Sequence, residues 1–135
     1  MRILFLCIIL LGVLSSCATQ IPKTNEENEL VFEENDDGEY EIIVLDSQYE
    51  YFLNAIAKPK NFHSESYYKN RNIFYVTEWN ARHNQAFQYN PNLYEVSIDY
   101  RPNIEYGYEF EYRLYNFFKF IEWKYNIDLD RKFNR

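Results

Sequence analysis

Glycine is nearly missing from this chain. Gly12, Gly38 and Gly107 are the only three in 135 residues, too few and too scattered for a phosphate-cradling P-loop or a dinucleotide turn. Cysteine is almost as scarce, with Cys7 and Cys17 both near the start. Histidine is limited to His63 and His83, with neither a His-x-x-x-His spacing nor a cysteine ligand beside them. A zinc site would have to gather carboxylates from afar, so no metal and no other cofactor is expected. His63 adjoins Ser64, but a neighbouring pair is not a nucleophilic triad, and no catalytic residue is assigned. Acids outnumber bases by 21 to 14, a net charge of −7, which disfavours nucleic acid as a partner.

No apolar run approaches the ~20 residues of a spanning helix. The longest, Ile3 to Val13, follows Arg2 and has the length of an export-signal h-region. Leu14-Ser15-Ser16-Cys17 comes next: an aliphatic residue, two small ones and a thiol. The pattern resembles the lipobox of bacterial lipoproteins, which implies diacylglyceryl transfer to the Cys17 sulfur and cleavage before it. A plain secretory signal cut near Ala18 is the alternative. One acyl chain holds a protein only marginally, whereas two or three hold it almost permanently. On this reading Cys7 is lost with the signal, and the mature chain has no thiol pair for a disulfide.

The negative charge is unevenly placed. Residues 18–38 carry seven acids (Glu26, Glu27, Glu29, Glu33, Glu34, Asp36, Asp37) against Lys23, whereas the rest of the chain to Arg135 is close to balanced. Poor in apolar residues and without a period, 17–38 is expected to be an acidic, disordered tether. The expected division is therefore 1–16 signal, 17–38 lipidated Cys and tether, and 39–135 one small domain. That domain holds every tyrosine and tryptophan of the chain, so an aromatic core bordered by hydrogen-bonded tyrosines is expected.

Residues 39–46 (EYEIIVLD) predict a strand, and Ser47 to Glu50 has capping-box spacing for a helix that ends by Lys58-Pro59. Phe110, Leu114, Phe117, Phe118, Ile121 and Tyr125 form one stripe of a final helix, with Glu109 and Arg113 four apart on a more polar face. Tyr94 to Arg101 alternates apolar and polar residues as a half-buried strand does. Ser64 to Gln85 is taken as one helix with a stripe of Tyr68, Asn72, Tyr75, Val76 and Trp79, although NIFYVTEW alone has strand composition. The expected class is α+β, a single small domain in the order strand-helix-helix-strand-helix, its small sheet packed against helices.

The most chemically distinctive residues are Arg71, Glu78, Trp79, Asn80 and Arg82. On a helix, Arg71, Glu78 and Arg82 fall near one face, and Glu78 and Arg82 pair at i, i+4. One reading is a ligand-binding patch for a small polar molecule or glycan, with Trp79 as platform. The other, favoured because such networks are common in cores, is an ion pair pinning the helix against Asp99 or Glu109.

The lipobox, NRNIFYVTEWNAR (70–82) and YNPNLYEVSIDYRPNIEYGYEFEYRLYNFF (89–118) together resemble a family of small Bacteroidota envelope lipoproteins, domain of unknown function 6146. The likeness covers about residues 39–126. It implies an envelope lipoprotein and supplies no catalytic or binding residues, because the family has no assigned activity. In that bacterial group, acids directly after the lipidated Cys accompany surface export. Here they begin only at Glu26, which points to a periplasm-facing outer-membrane position. The expected partners are the membrane, through Cys17, and an envelope protein or the cell wall.

Overall fold

The computed structural model describes residues 30–130. The signal-like run, the lipobox and Cys17 lie outside the described residues.

The described chain opens with a hairpin. β1 (Leu30–Glu34) pairs antiparallel with β2 (Tyr40–Val44), with Leu30 opposite Val44, Phe32 opposite Ile42 and Glu34 opposite Tyr40. Alternate strand residues share a face, so Leu30, Phe32, Tyr40, Ile42 and Val44 make one apolar side. In the turn, Asn35 Oδ1 accepts the N–H groups of Asp37 (3.1 Å) and Glu39 (2.8 Å). Gly38 there takes φ of 78°, a conformation that costs other residues more. β1 thus lies within the stretch, 17–38, expected as tether. Leu30-Val31-Phe32 is apolar enough to pair, and the Phe32 ring meets Phe110 edge-on at 5.1 Å. The flanking acids masked that signal. They also oppose it, since Glu33 faces Glu41 across the ladder, a like-charge pair.

Three helices follow: α1 (Ser47–Ala55), α2 (Glu65–His83) and α3 (Tyr108–Tyr125), with a 3-10 turn at Lys60–Phe62 between the first two. α1 is capped one residue earlier than expected, by Asp46, whose carboxylate accepts Gln48 N–H at 2.9 Å. α2 is the single helix expected, capped by Ser64, whose hydroxyl accepts Tyr67 N–H. α3 closes on Asn126 in the left-handed region.

The fold is α+β, a two-stranded antiparallel sheet packed against helices, in the order strand-strand-helix-helix-helix. α3 is its centre: Phe110, Leu114, Phe117, Phe118 and Ile121 are all buried. The hairpin covers the first turn of α3 through Phe110, and α1 covers its later turns, Tyr49 and Phe52 meeting Phe120 at 5.6 and 5.7 Å. α2 contributes the expected stripe, Tyr68, Asn72, Tyr75, Val76 and Trp79, every member buried. Buried tyrosines keep partners at their polar ends: Tyr49 Oη donates to Arg113 O (2.7 Å) and Tyr112 Oη to Lys58 O (2.9 Å).

The expected strand at Tyr94–Arg101 does not form. Its alternation survives only as burial: Tyr94, Ile98 and Tyr100 are inside, while Glu95, Ser97, Asp99 and Arg101 are outside. Val96 breaks the pattern by facing solvent. The segment lies on α2, and side chains of that helix take the place of a neighbouring strand.

Candidate functional site

Asn80 shows how the replacement works. Its Nδ2 donates to Ile98 O (2.9 Å) and its Oδ1 accepts Ile98 N–H (2.8 Å). One carboxamide thus gives a single residue the same donor and acceptor that an antiparallel partner would give. One residue earlier, Trp79 Nε1 donates to Val96 O at 2.9 Å. One turn later, His83 Nδ1 lies 2.6 Å from Tyr94 O, and because a carbonyl only accepts, Nδ1 carries the proton. The main chain of 94–98 is therefore pinned to α2 by three side chains.

The charged members complete the seam. Glu78 Oε1 accepts Arg82 Nε (2.8 Å), Arg82 Nη1 donates to Tyr94 Oη (2.9 Å), and Arg82 Nη2 donates to Asp128 O (2.7 Å). The guanidinium fork thereby joins α2, the 94–101 segment and the C-terminal stretch. Arg71 pairs with Asp130 and donates to Tyr75 Oη (3.0 Å), and that hydroxyl donates to the other Asp130 oxygen (3.0 Å). Burial raises the Tyr75 and Tyr94 phenols above the usual tyrosine range, although the guanidiniums of Arg71 and Arg82 pull the other way.

The five expected residues are thus gathered on one helix, but Glu78, Trp79 and Arg82 are only 5, 3 and 7 % exposed. Trp79 and Arg82 line no open surface; their polar atoms are spent on the fold. The pinning partners are Tyr94, Asp128 and Asp130, not the expected Asp99 or Glu109, which instead pair with Arg101 and Lys60. Farther along the seam, Glu111 is buried and accepts from Asn72 Nδ2 (2.7 Å) and Tyr100 Oη (2.9 Å). Burial raises its carboxyl above the ordinary range, while those two neutral donors and the more distant Lys69 hold it back.

A second feature was not anticipated. Between the end of α1, the connection at 57–63, the start of α2 and the later turns of α3 lies an open cleft of about 420 Å³. Phe52, Tyr68, Tyr115 and Trp123 supply aromatic walls, and Lys58, His63, Asn116 and Lys119 supply polar groups. None of the five expected residues reaches it. The legible signal was Asn116, which sits in the buried row Tyr112–Asn116–Phe120 at helical spacing, a polar residue in an apolar file. Lys58 gave no such signal, because it reads simply as the end of α1.

Among the described residues no group of three or more His, Cys, Asp and Glu side chains could hold a metal ion, and no helix is long and apolar enough to cross a membrane. No curated protein and no solved structure matches the chain. A family model described as a family of unknown function matches residues 3–133, taking in the hairpin, the seam and the cleft together. The protein therefore belongs to DUF6146, a family of unknown function.

Proposed function

We propose that this protein is a lipid-anchored envelope protein whose aromatic body serves as a non-catalytic binding or structural module on the periplasmic side of the outer membrane. The observation that carries the reading is Leu14-Ser15-Ser16-Cys17 directly behind an eleven-residue apolar run. The position of β1 sets a bound on the reach. Thirteen peptide steps separate Cys17 from Leu30, so the chain can carry the first strand no farther than about 45 Å from the modified sulfur. A body held that close to a bilayer works on the membrane surface, on other anchored proteins or on nearby wall polymer. The acids at Glu26, Glu27 and Glu29 sit in that interval and would be repelled by anionic headgroups.

The test is Cys17→Ala with fractionation and intact-mass measurement of the native protein. The wild type is expected in the membrane fraction with a modified Cys17 as its first residue and the mass of added acyl chains. The variant is expected as soluble or unprocessed precursor. An unchanged, membrane-bound mature form of the variant would refute the anchor. Crosslinking in cells should then trap a reproducible envelope partner.

A further inference from the structure

The cleft beside α3 combines three properties that a merely imperfect core would not share. Its walls are aromatic and its mouth is apolar: two of its lining residues, Ile56 and Trp123, are 41 and 46 % exposed. Its size is in the range of small-molecule sites, which run from about 300 to 1,000 Å³. Its polar groups are unevenly used.

Asn116 is the deepest of these. It is only 3 % exposed, and its Nδ2 donates to Tyr112 O (2.8 Å) one turn back on α3. A carbonyl partner can only be met by the nitrogen, so the amide orientation is fixed and Oδ1 is the end left over. No described residue donates to it; Asn116 lines the cleft, and this oxygen is open to the cleft's solvent rather than sealed away. Charge points the same way. Glu122 is neutralised by Lys119 and also accepts Leu129 N–H (2.8 Å). Lys58, by contrast, has no carboxylate within ion-pairing distance among the described residues, and its ammonium lies 5.6 Å from the Phe62 ring centroid. In a chain of net charge −7, the cleft is left with one unmatched cation and one acceptor that only solvent reaches.

We propose that the cleft binds a small amphipathic carboxylate: a flat apolar body between Phe52, Tyr115 and Trp123, an acid group at Lys58, and one hydroxyl or N–H donating to Asn116 Oδ1. The body displaces water from the aromatic walls, the carboxylate meets the free ammonium at the rim, and the donor takes the place of water at Asn116 Oδ1. His63, stacked on Tyr67 at 3.8 Å, forms the wall between rim and floor. A cationic ligand would meet Lys58 as a like charge, and a ligand without a donor would leave Asn116 Oδ1 desolvated and unpaired. The site does not depend on the anchor proposed above and stands if that reading fails.

The two tryptophans allow a local readout, because Trp123 lines the cleft and Trp79 lies in the sealed seam. The full chain, with ¹⁵N-labelled tryptophan, is titrated with indole-3-propionate, its neutral amide and its 1-methyl derivative, and both indole N–H signals are followed by NMR. For a probe of this size a Kd of about 1 mM is expected. The acid should move the Trp123 signal saturably and leave Trp79 still, binding about fivefold tighter than the amide or the methylated acid. Lys58→Ala, on the exposed rim and outside the core, should erase the preference for acid over amide without weakening the amide. A Trp123 signal that does not move at about 10 mM probe, equal binding of acid and amide, or a preference that survives Lys58→Ala would each overturn the proposal.

Discussion

The seam along α2 and the cleft beside α3 are made from the same kinds of residue, and they differ in what is left over. In the seam, Arg82 engages Glu78, Tyr94 and Asp128, and Asn80 satisfies both backbone groups of Ile98. In the cleft, Lys58 and Asn116 Oδ1 keep capacity that no described residue uses. Aromatic rings border both. Residue type therefore does not tell a staple from a site; unspent capacity that faces solvent does, since Asn72 Oδ1 in the seam is unpartnered too but sealed away.

The sharpest way to break the comparison is at Arg82. Arg82→Ala takes the guanidinium away from the buried Glu78 carboxylate and frees Tyr94 and the Asp128 carbonyl together. Removing one partner of a buried ion pair costs about 3–5 kcal/mol, a large part of a small domain's total stability. Urea denaturation should register that loss. Arg82→Met combined with Glu78→Gln should recover part of it, because the buried negative charge is gone as well. A loss below about 1 kcal/mol in the single variant would mean that solvent already reaches the pair.

Asn80→Ala comes next. It leaves the N–H and C=O of Ile98 unsatisfied against α2, at about 1–3 kcal/mol. The effect should be local as well as global, with the Ile98 amide exchanging with solvent faster than amides inside α3. Unchanged exchange at Ile98 would show that water or another group takes over the bond.

Asn80 also marks where the sequence stops being readable. Helical spacing identified the buried rows of α2 and α3, because periodicity reports which side of an element faces the core, whatever it packs on. The same logic found the alternation of Tyr94, Ile98 and Tyr100 but misread its cause. A period of two says that alternate residues are buried, not that a second strand supplies the hydrogen bonds. At β1 the failure ran the other way: Leu30 and Phe32 sit between acids whose composition resembles a tether, and only pairing with β2 reveals their role. The five seam residues were legible as a group because they share a helix. The cleft was not, since Phe52, Lys58, Asn116 and Trp123 meet only after α1 folds onto α3.

Glu111 offers a finer test within the seam. Its carboxyl is pushed above the ordinary carboxylate range, first by burial, with the bonds from Asn72 and Tyr100 and the charge of Lys69 opposing and Glu65 adding slightly. The folded state therefore holds this proton more tightly than the unfolded chain does. The stability it contributes is complete below about pH 4.3, the unfolded value, and is lost as pH rises through the folded one. Glu111→Gln removes that titration. The difference in urea midpoint between wild type and variant should accordingly shift in the variant's favour as pH rises from 4 to 7. A constant difference across that range would place the Glu111 proton at its ordinary affinity and argue for water at the carboxylate.

The smallest effect expected is also the one that separates the two regions most directly. Lys58→Ala removes an ammonium whose recorded contact is the face of Phe62, while the Lys58 carbonyl that receives Tyr112 Oη is untouched. Its stability should stay within about 0.5 kcal/mol of wild type, as for surface positions that hold nothing together. Both Arg82 and Lys58 are cations beside aromatic rings, so composition alone predicts similar outcomes for their loss. Burial and bonding predict outcomes several-fold apart. If Lys58→Ala destabilised the fold as much as Asn80→Ala, the cleft wall would be a second staple, and its unspent charge would have to be assigned to the fold instead of to a ligand.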